Sequence, residues 1–389
     1  MSPEKLIRNK NLQLIFGVTV VAVGGIASIT PAFPRIVEDL KISTVDVGML
    51  IVAFTIPTII ISPFVGILAD RFGRKRLLVP SLFLFGLGGG ACAFTTDFNT
   101  ILILRVFQGA GGAGTSSLSL AIIGDLFTGE RRAEAMGFNA SVLSSSTAAY
   151  PLIGGALATV AWNYPFYLAF LGVFIGFLVI FFLDNTEPQS SGNIKEYLTR
   201  TFGYLKNIKV WSVFIAGIVA FIILFGAALT YFALYMGDKF DASPFIIGVI
   251  ISVNSIATVV VAMQLGKLTK IFSLVNLVKL GFVLSAVAMA MVPLLPYLML
   301  LIIPSAIFGV GFGIIFPCIH TYVAGLVPSS YRAVFMSVNT AMFQLGKTLG
   351  PLVVGVAYVY GSFNGAFYFS AGLAVVTAVI GVVGGRFIR

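Results

Sequence analysis

Residues 132–155 read RAEAMGFNASVLSSSTAAYPLIGG, and residues 332–355 read RAVFMSVNTAMFQLGKTLGPLVVG. Arg132, Ala133, Met136, Asn139, Pro151 and Gly155 recur as Arg332, Ala333, Met336, Asn339, Pro351 and Gly355, at a constant offset of 200 and without a gap. The same offset pairs Gly48 with Gly248, Gly66 with Gly266, Gly109 with Gly309 and Leu126 with Leu326. Agreement at one fixed spacing is the mark of an internal repeat, so the chain is read as two related halves.

Composition says which solvent the halves face. The chain is 58% hydrophobic and 10% charged, with a mean hydropathy of +1.04. An ordinary soluble domain carries about a quarter charged residues. Apolar runs of about 20 residues, enough to cross a hydrocarbon core roughly 30 Å thick, recur along the whole sequence between short polar connections. They place spans near 12–34, 45–68, 77–95, 99–123, 134–160, 165–183, 210–236, 244–266, 274–294, 297–324, 333–359 and 363–385. The fold class expected is an all-α membrane protein of twelve transmembrane helices in two six-helix bundles, 1–184 and 209–389. The first run follows Lys5, Arg8 and Lys10, but it is long and a second span follows it, so it is read as a retained helix and not as a cleaved leader.

The formal charge of +10 raises the question of nucleic acid. Sorting the basic residues by connection answers it. With the N-terminus inside, the inner segments hold Arg71, Arg74, Lys75, Arg76, Arg131, Arg132, Lys195, Arg200, Lys267, Lys270, Arg332 and Arg386, among others. The outer loops hold Arg35, Lys41 and Lys239. That bias is the positive-inside rule and predicts cytoplasmic N- and C-termini with an even number of spans. Six spans per half make the halves parallel repeats about an axis along the membrane normal, an arrangement that favours a pathway between them. Residues 185–208 read as a cytoplasmic linker, with Asp184, Glu187 and Pro188 at its start; basic and aromatic residues interleave from Lys195 to Lys209, as they would in a solvated segment or in a short helix lying along the headgroups. Cys92 and Cys318 lie inside predicted spans, and their number and spacing support neither a disulfide framework nor a zinc site. Nothing calls for a cofactor.

Between the second and third spans the chain reads Gly66, Ile67, Leu68, Ala69, Asp70, Arg71, Phe72, Gly73, Arg74, Lys75, Arg76. This resembles the cytoplasmic loop signature of the major facilitator superfamily. Physically, Gly66 permits close helix approach, Asp70 suits the positive end of a helix and the basic cluster anchors at the inner surface. Gly66, Asp70, Arg71, Gly73 and Arg74 are therefore expected to latch one conformational state, with Asp125, at the inner end of the fourth span, as a partner for Arg71 or Arg74.

The fourth span carries Arg105, Gln108, Gly109 and Gly112, similar to a second signature of the family. A guanidinium at that depth costs on the order of 3 kcal/mol on insertion scales and must face protein or a wet cavity. Arg105 is read as bonding to carbonyls near the first span or as holding an anionic group. The run from Gly109 to Gly114 also satisfies the dinucleotide pattern G-x-G-x-x-G, but that pattern needs a strand, a turn and a helix N-terminus. Here it lies within a long apolar helix, where glycines serve close packing, and Gly309, Gly311 and Gly313 are read the same way.

In the fifth span, Tyr150, Pro151, Gly154 and Gly155 resemble a third signature, associated with the drug-exporting branches. Tyr150 stands where those exporters usually have glycine, whereas the repeat partner keeps the pair Gly350–Pro351. Proline beside glycines suits a bending helix at an interface. Ser28, Thr30, Pro31 and Pro34 of the first span also look like the exporters, but Gly25 occupies the position where many have an acid. All fourteen Asp and Glu fall in loops or near helix ends, so a buried carboxylate proton carrier is missing.

Lys347 aligns with Thr147 in the repeat and sits in the middle of the eleventh span. It is read as facing a watery cavity or as titrating, either of which would let it bind an anionic substrate or exchange a proton; the bland alternative is a structural bond to Gln344 or to carbonyls. His320, the single histidine, is a second titratable candidate, with packing as its rival reading. In the seventh span Phe221, Phe225, Tyr231, Phe232 and Tyr235 recur partly at helical spacing, and Phe225 and Tyr231 are the candidates to line a binding cavity.

The resemblance covers nearly the whole chain. It implies secondary transport by alternating access, with no enzyme activity, in a cell-membrane protein that works as a monomer. The signatures imply export of small amphipathic molecules, proton-coupled as in the drug antiporters; organic-anion transport through Arg105 and Lys347, or flipping of a lipid or lipid-linked sugar, stay open beside it.

Overall fold

A computed structural model describes residues 6–184, 208–325 and 332–386. The expected linker lies outside them apart from its last residue, and with it most of the basic and aromatic stretch. The chain divides into two compact units, Met1–Gly192 and Asn193–Arg389.

The first unit contains α1 (Lys10–Leu40), α2 (Asp46–Phe72), α3 (Arg74–Phe94), α4 (Phe98–Leu126), α5 (Gly129–Val160) and α6 (Tyr164–Phe182). The second contains α7 (208–240), α8 (Pro244–Ile271), α9 (Leu274–Leu294), α10 (Leu298–Gly325), α11 (332–360) and α12 (363–386). Each expected span has its helix. Side chains cap several of them: Asp97 accepts from the Thr100 amide at 2.8 Å to start α4, and Ser243 and Ser273 do the same for α8 and α9. Such caps satisfy amides that have no partner inside the helix.

Four departures from regular helix have readable causes. α1 leaves the α-helix at Ala27, tightens into a 3-10 turn over Thr30–Ala32 and resumes at Phe33, because Pro31 and Pro34 remove backbone donors. Gly73 takes a φ of 96° between α2 and α3, a region that side chains disfavour. α7 widens into a π-helix over Ile223–Tyr231, and the Thr230 hydroxyl donates at 2.6 Å to the carbonyl of Phe225, five residues earlier. α11 and α12 are separate helices that meet at a kink at Gly361 and Ser362, where Ser362 takes a φ of 51°.

The repeat reaches down to the backbone. Lys41 and Asp241, 200 residues apart, both end a helix in the left-handed conformation, at φ 51° and 49°. Thr58 donates to the carbonyl of Gly109 at 2.9 Å, and Thr258 donates to that of Gly309 at 3.0 Å. In each unit the glycine-rich helix is wedged between two neighbours. A Cβ on Gly109 would strike the Phe54 carbonyl of α2, and one on Gly111 would strike Ser81 and Phe85 of α3. Gly309 and Gly311 stand in the same way against Asn254 of α8 and Gly281 of α9. α4 runs unbroken through Gly109–Gly114, which fits close packing and leaves no turn for a dinucleotide.

α4 and α5 are the less apolar helices, and their hydroxyls are satisfied internally: Ser116, Ser117 and Ser146 each donate to the carbonyl four residues back. On the outer faces, by contrast, Phe64, Phe174, Phe181, Met263 and Val379 stand exposed. In water such a surface would be an aggregation site, whereas hydrocarbon takes it without cost.

Candidate functional site

In the first unit Arg105 has no exposed surface. Its Nε donates to the carbonyl of Leu50 at 3.0 Å, and its Nη1 to the carbonyl of Gly25 at 2.6 Å and to Oε1 of Gln108 at 2.6 Å. The guanidinium also lies 4.9 Å from the ring centroid of Phe54. Arg105 thus binds α1, α2 and its own helix through Nε and Nη1, while its buried Nη2 has no partner among the described residues; of the two readings the sequence left open the structure displays the backbone bonds. Gly25 keeps its carbonyl within reach, since a Cβ there would press on the rings of Phe54 and Phe85. At the corresponding place in the second unit, the hydroxyl of Ser305 donates to the carbonyl of Ile250 at 2.6 Å.

In the same unit, where α2 gives way to α3 beside the end of α4, the Nε of Arg74 lies 2.7 Å from a carboxylate oxygen of Asp125 and its Nη2 lies 3.7 Å from Asp70. The contact with Asp125 is an ion pair without the alignment of a hydrogen bond. Arg71 stacks on Phe72 instead. Burial pushes the Asp125 carboxyl above the ordinary carboxylate range, opposed by Arg74 and reinforced by Asp70. A Cβ at Gly66 would meet no described atom of its own unit within 4 Å, as at its counterpart Gly266.

The third signature packs α5 on α1. Gly154 lies against the carbonyl of Ser28, and the ring of Tyr150 fills the space that Gly24 leaves open. A tyrosine at the exporters' glycine position is thus accommodated by a glycine on the facing helix. In the second unit Gly350 and Gly226 meet backbone to backbone, just before Pro351.

The second unit gathers the remaining candidates. The ammonium of Lys347 lies 5.5 and 5.4 Å from the ring centroids of Phe221 and Phe225, and among the described residues it makes no hydrogen bond or ion pair. The bond to Gln344 that the sequence admitted is not formed; the backbone carbonyl of Gln344 takes the Thr348 hydroxyl at 3.1 Å. Phe221 stacks on Phe343 with centroids 4.7 Å apart and meets Phe312 edge-on at 5.4 Å. His320 stands edge-on to Phe316 at 4.6 Å and to Phe343 at 5.1 Å. Ring faces attract a cation by about 0.5–2 kcal/mol each, which offsets much of the roughly 3 kcal/mol insertion cost of a lysine at this depth. Lys347, Phe225 and His320 are brought together; Tyr231 is not, being buried against Tyr358 at 5.2 Å. Sequence reasoning missed Phe312, Phe316 and Phe343. A signal existed, because Phe308, Phe312, Phe316 and His320 recur every four residues and so share one face of α10.

The family model of the Major Facilitator Superfamily matches residues 15–237 and again 213–385. The chain belongs to the Major Facilitator Superfamily. It is 26% identical over 379 residues to Multidrug resistance protein 1 of Bacillus subtilis, covering 96% of this chain and 95% of that one. It is 24% identical over 355 residues to Quinolone resistance protein NorA of Staphylococcus aureus, at 90% of each. The structure of the nucleoside transporter NupG superposes with a TM-score of 0.80 over 96% of this chain and 98% of that one, at 16% identity, a likeness of fold. The two matches start at residues 15 and 213, close to the offset of 200, and overlap over 213–237. As a superfamily member the chain is an integral membrane transporter of small molecules that works by alternating access and is not an enzyme.

Proposed function

We propose that the chain exports small amphipathic molecules from the cytoplasm, with the ring cluster of the second unit as a substrate contact. The observation that carries this reading is the concentration of Phe221, Phe225, Phe312, Phe316, Phe343 and His320 around one unpaired ammonium. Large flat apolar faces with few fixed hydrogen bonds suit amphiphiles of varied shape. The names of the Bacillus and Staphylococcus relatives, multidrug and quinolone resistance, support it.

Residues 1–184 and 209–389 act in this reading as the two moving bundles and 185–208 as their cytoplasmic linker, in a monomer of the plasma membrane with both termini inside. Gly66, Asp70, Arg71, Gly73, Arg74 and Asp125 form the inner latch, and Gly109, Gly112, Tyr150, Pro151, Gly154, Gly155, Gly350 and Pro351 the surfaces on which helices bend and pack. A proton-coupled cycle would use Lys347 or His320, since no carboxylate lies deep in a span. The test is uptake by everted membrane vesicles of a panel of fluorescent cationic, neutral and anionic amphiphiles, with and without a proton gradient. The expected result is concentrative uptake of at least one compound that vesicles lacking the protein do not show. Equal uptake by both vesicle types across the panel contradicts the reading.

A further inference from the structure

We propose that the second unit's ring cluster selects amphiphiles whose polar end is anionic, an aromatic carboxylate or sulfonate, and turns lipophilic cations away. The inference rests on the reading above that this cluster touches substrate. The ring faces that would hold a cationic amphiphile are already covered from inside the protein: Lys347 sits 5.5 Å from Phe221 and 5.4 Å from Phe225, within the roughly 6 Å range of a cation over an aromatic face. A second cation brought to the same rings meets a like charge in a weakly screening environment.

The charge on Lys347 also lacks a counter-ion. Among the described residues it has no ion pair, and the acids of α7 to α12, Asp238 and Asp241, stand at the end of α7 more than eleven residues beyond Phe225. An incoming carboxylate supplies the missing partner, while its ring can lie against Phe225 and Phe316, the part-exposed rings of the cluster; Phe221 and Phe343 are buried and stacked on each other, 4.7 Å apart at 26°, and hold the cluster together. Arg105 of the first unit is less suited to this, because it has no exposed surface and its Nε and Nη1 are held by the carbonyls of Gly25 and Leu50 and by Gln108, with Nη2 alone unpartnered among the described residues. Repeat comparison isolates the feature further: the counterpart of Lys347 in the first unit is Thr147, which donates to its own helix at Leu143 and presents no charge.

The test measures binding of two probes of matched shape and opposite sign, naphthoate and naphthylmethylammonium, to the purified full-length protein by titration calorimetry. The wild-type protein is expected to bind naphthoate at least about tenfold tighter than the amine. Lys347→Glu is expected to invert that order, and Lys347→Arg to keep it. Thermal melts of each variant show that it is folded, and Lys347→Gln, which removes the charge without reversing it, is expected to abolish the preference. Equal or tighter binding of the amine by the wild-type protein, or an unchanged order in folded Lys347→Glu, overturns the proposal. Phe343→Ala separates the two levels of the argument. Binding of both probes that weakens in Phe343→Ala but shows no sign preference overturns the charge selection alone. Binding that ignores Phe343→Ala, or no binding of either probe, removes the ring cluster as a substrate contact and the selection with it.

Discussion

Single residues show how the two halves have diverged inside one plan. In the first unit Asn139 accepts a hydrogen bond from Thr19 at 2.7 Å, joining α5 to α1. Its counterpart Asn339 is fully buried, and among the described residues neither polar atom of its amide has a partner. The position that corresponds to Thr19 is Val219, which has no hydroxyl to give. An unpaired buried amide is expensive, and one restored hydrogen bond is worth about 1 kcal/mol. Val219→Thr is accordingly expected to raise the thermal midpoint of the detergent-solubilised protein; a lowered midpoint would mean that the two residues do not face each other as Thr19 and Asn139 do. At this scale the sequence was legible in part. Arg105 and Lys347 stood out because charge inside an apolar run is costly, but which of them was spent on backbone depended on carbonyls of Gly25 and Leu50, some 80 and 55 residues away in the chain. No local pattern carries that information.

Elements obey simpler rules, and here the sequence was read more fully. Span positions followed from hydropathy, and the glycine runs announced close packing. Where regular helix failed, the causes were unequal in visibility: Pro31 and Pro34 are plain in the sequence, whereas the π-helical stretch of α7 depends on Thr230 and on the meeting of Gly226 with Gly350. The contact of α1 with α5 can be tested directly. A Cβ at Gly154 would occupy the place of the Ser28 carbonyl, so Gly154→Ala is expected to cost about 1–3 kcal/mol of stability, as overpacking does. Gly66→Ala, where the space within its own unit is open, is the comparison and should melt with the wild-type protein. A pH dependence belongs at this scale as well, at the joint between α3 and α4. Because burial raises the Asp125 carboxyl above its ordinary range, its contribution to folding is present in acid and is lost as pH rises through its folded value. Asp125→Asn should therefore melt higher than the wild-type protein at neutral pH, with the difference closing as the pH falls below the carboxylate range. A lower midpoint at neutral pH would show that the pair with Arg74 outweighs the burial cost.

For the whole molecule, duplication was the decisive signal, since one offset of 200, laid over twelve apolar spans, divides them into two sets of six in the same order. Fold followed from periodicity and repetition, which are global properties of a sequence. The ring cluster was half legible: Phe225, His320 and Lys347 drew notice one at a time, but their assembly with Phe312, Phe316 and Phe343 required α7, α10 and α11 to be packed together. The account's central claim is that this assembly handles the transported molecule. Its most direct test is flux in proteoliposomes of the compound that vesicles take up best, comparing the wild-type protein with Lys347→Ala and Phe343→Ala, each verified as folded by thermal melting. The account predicts that Lys347→Ala abolishes substrate-dependent flux and that Phe343→Ala lowers it several-fold. Undiminished flux through folded Lys347→Ala would contradict it.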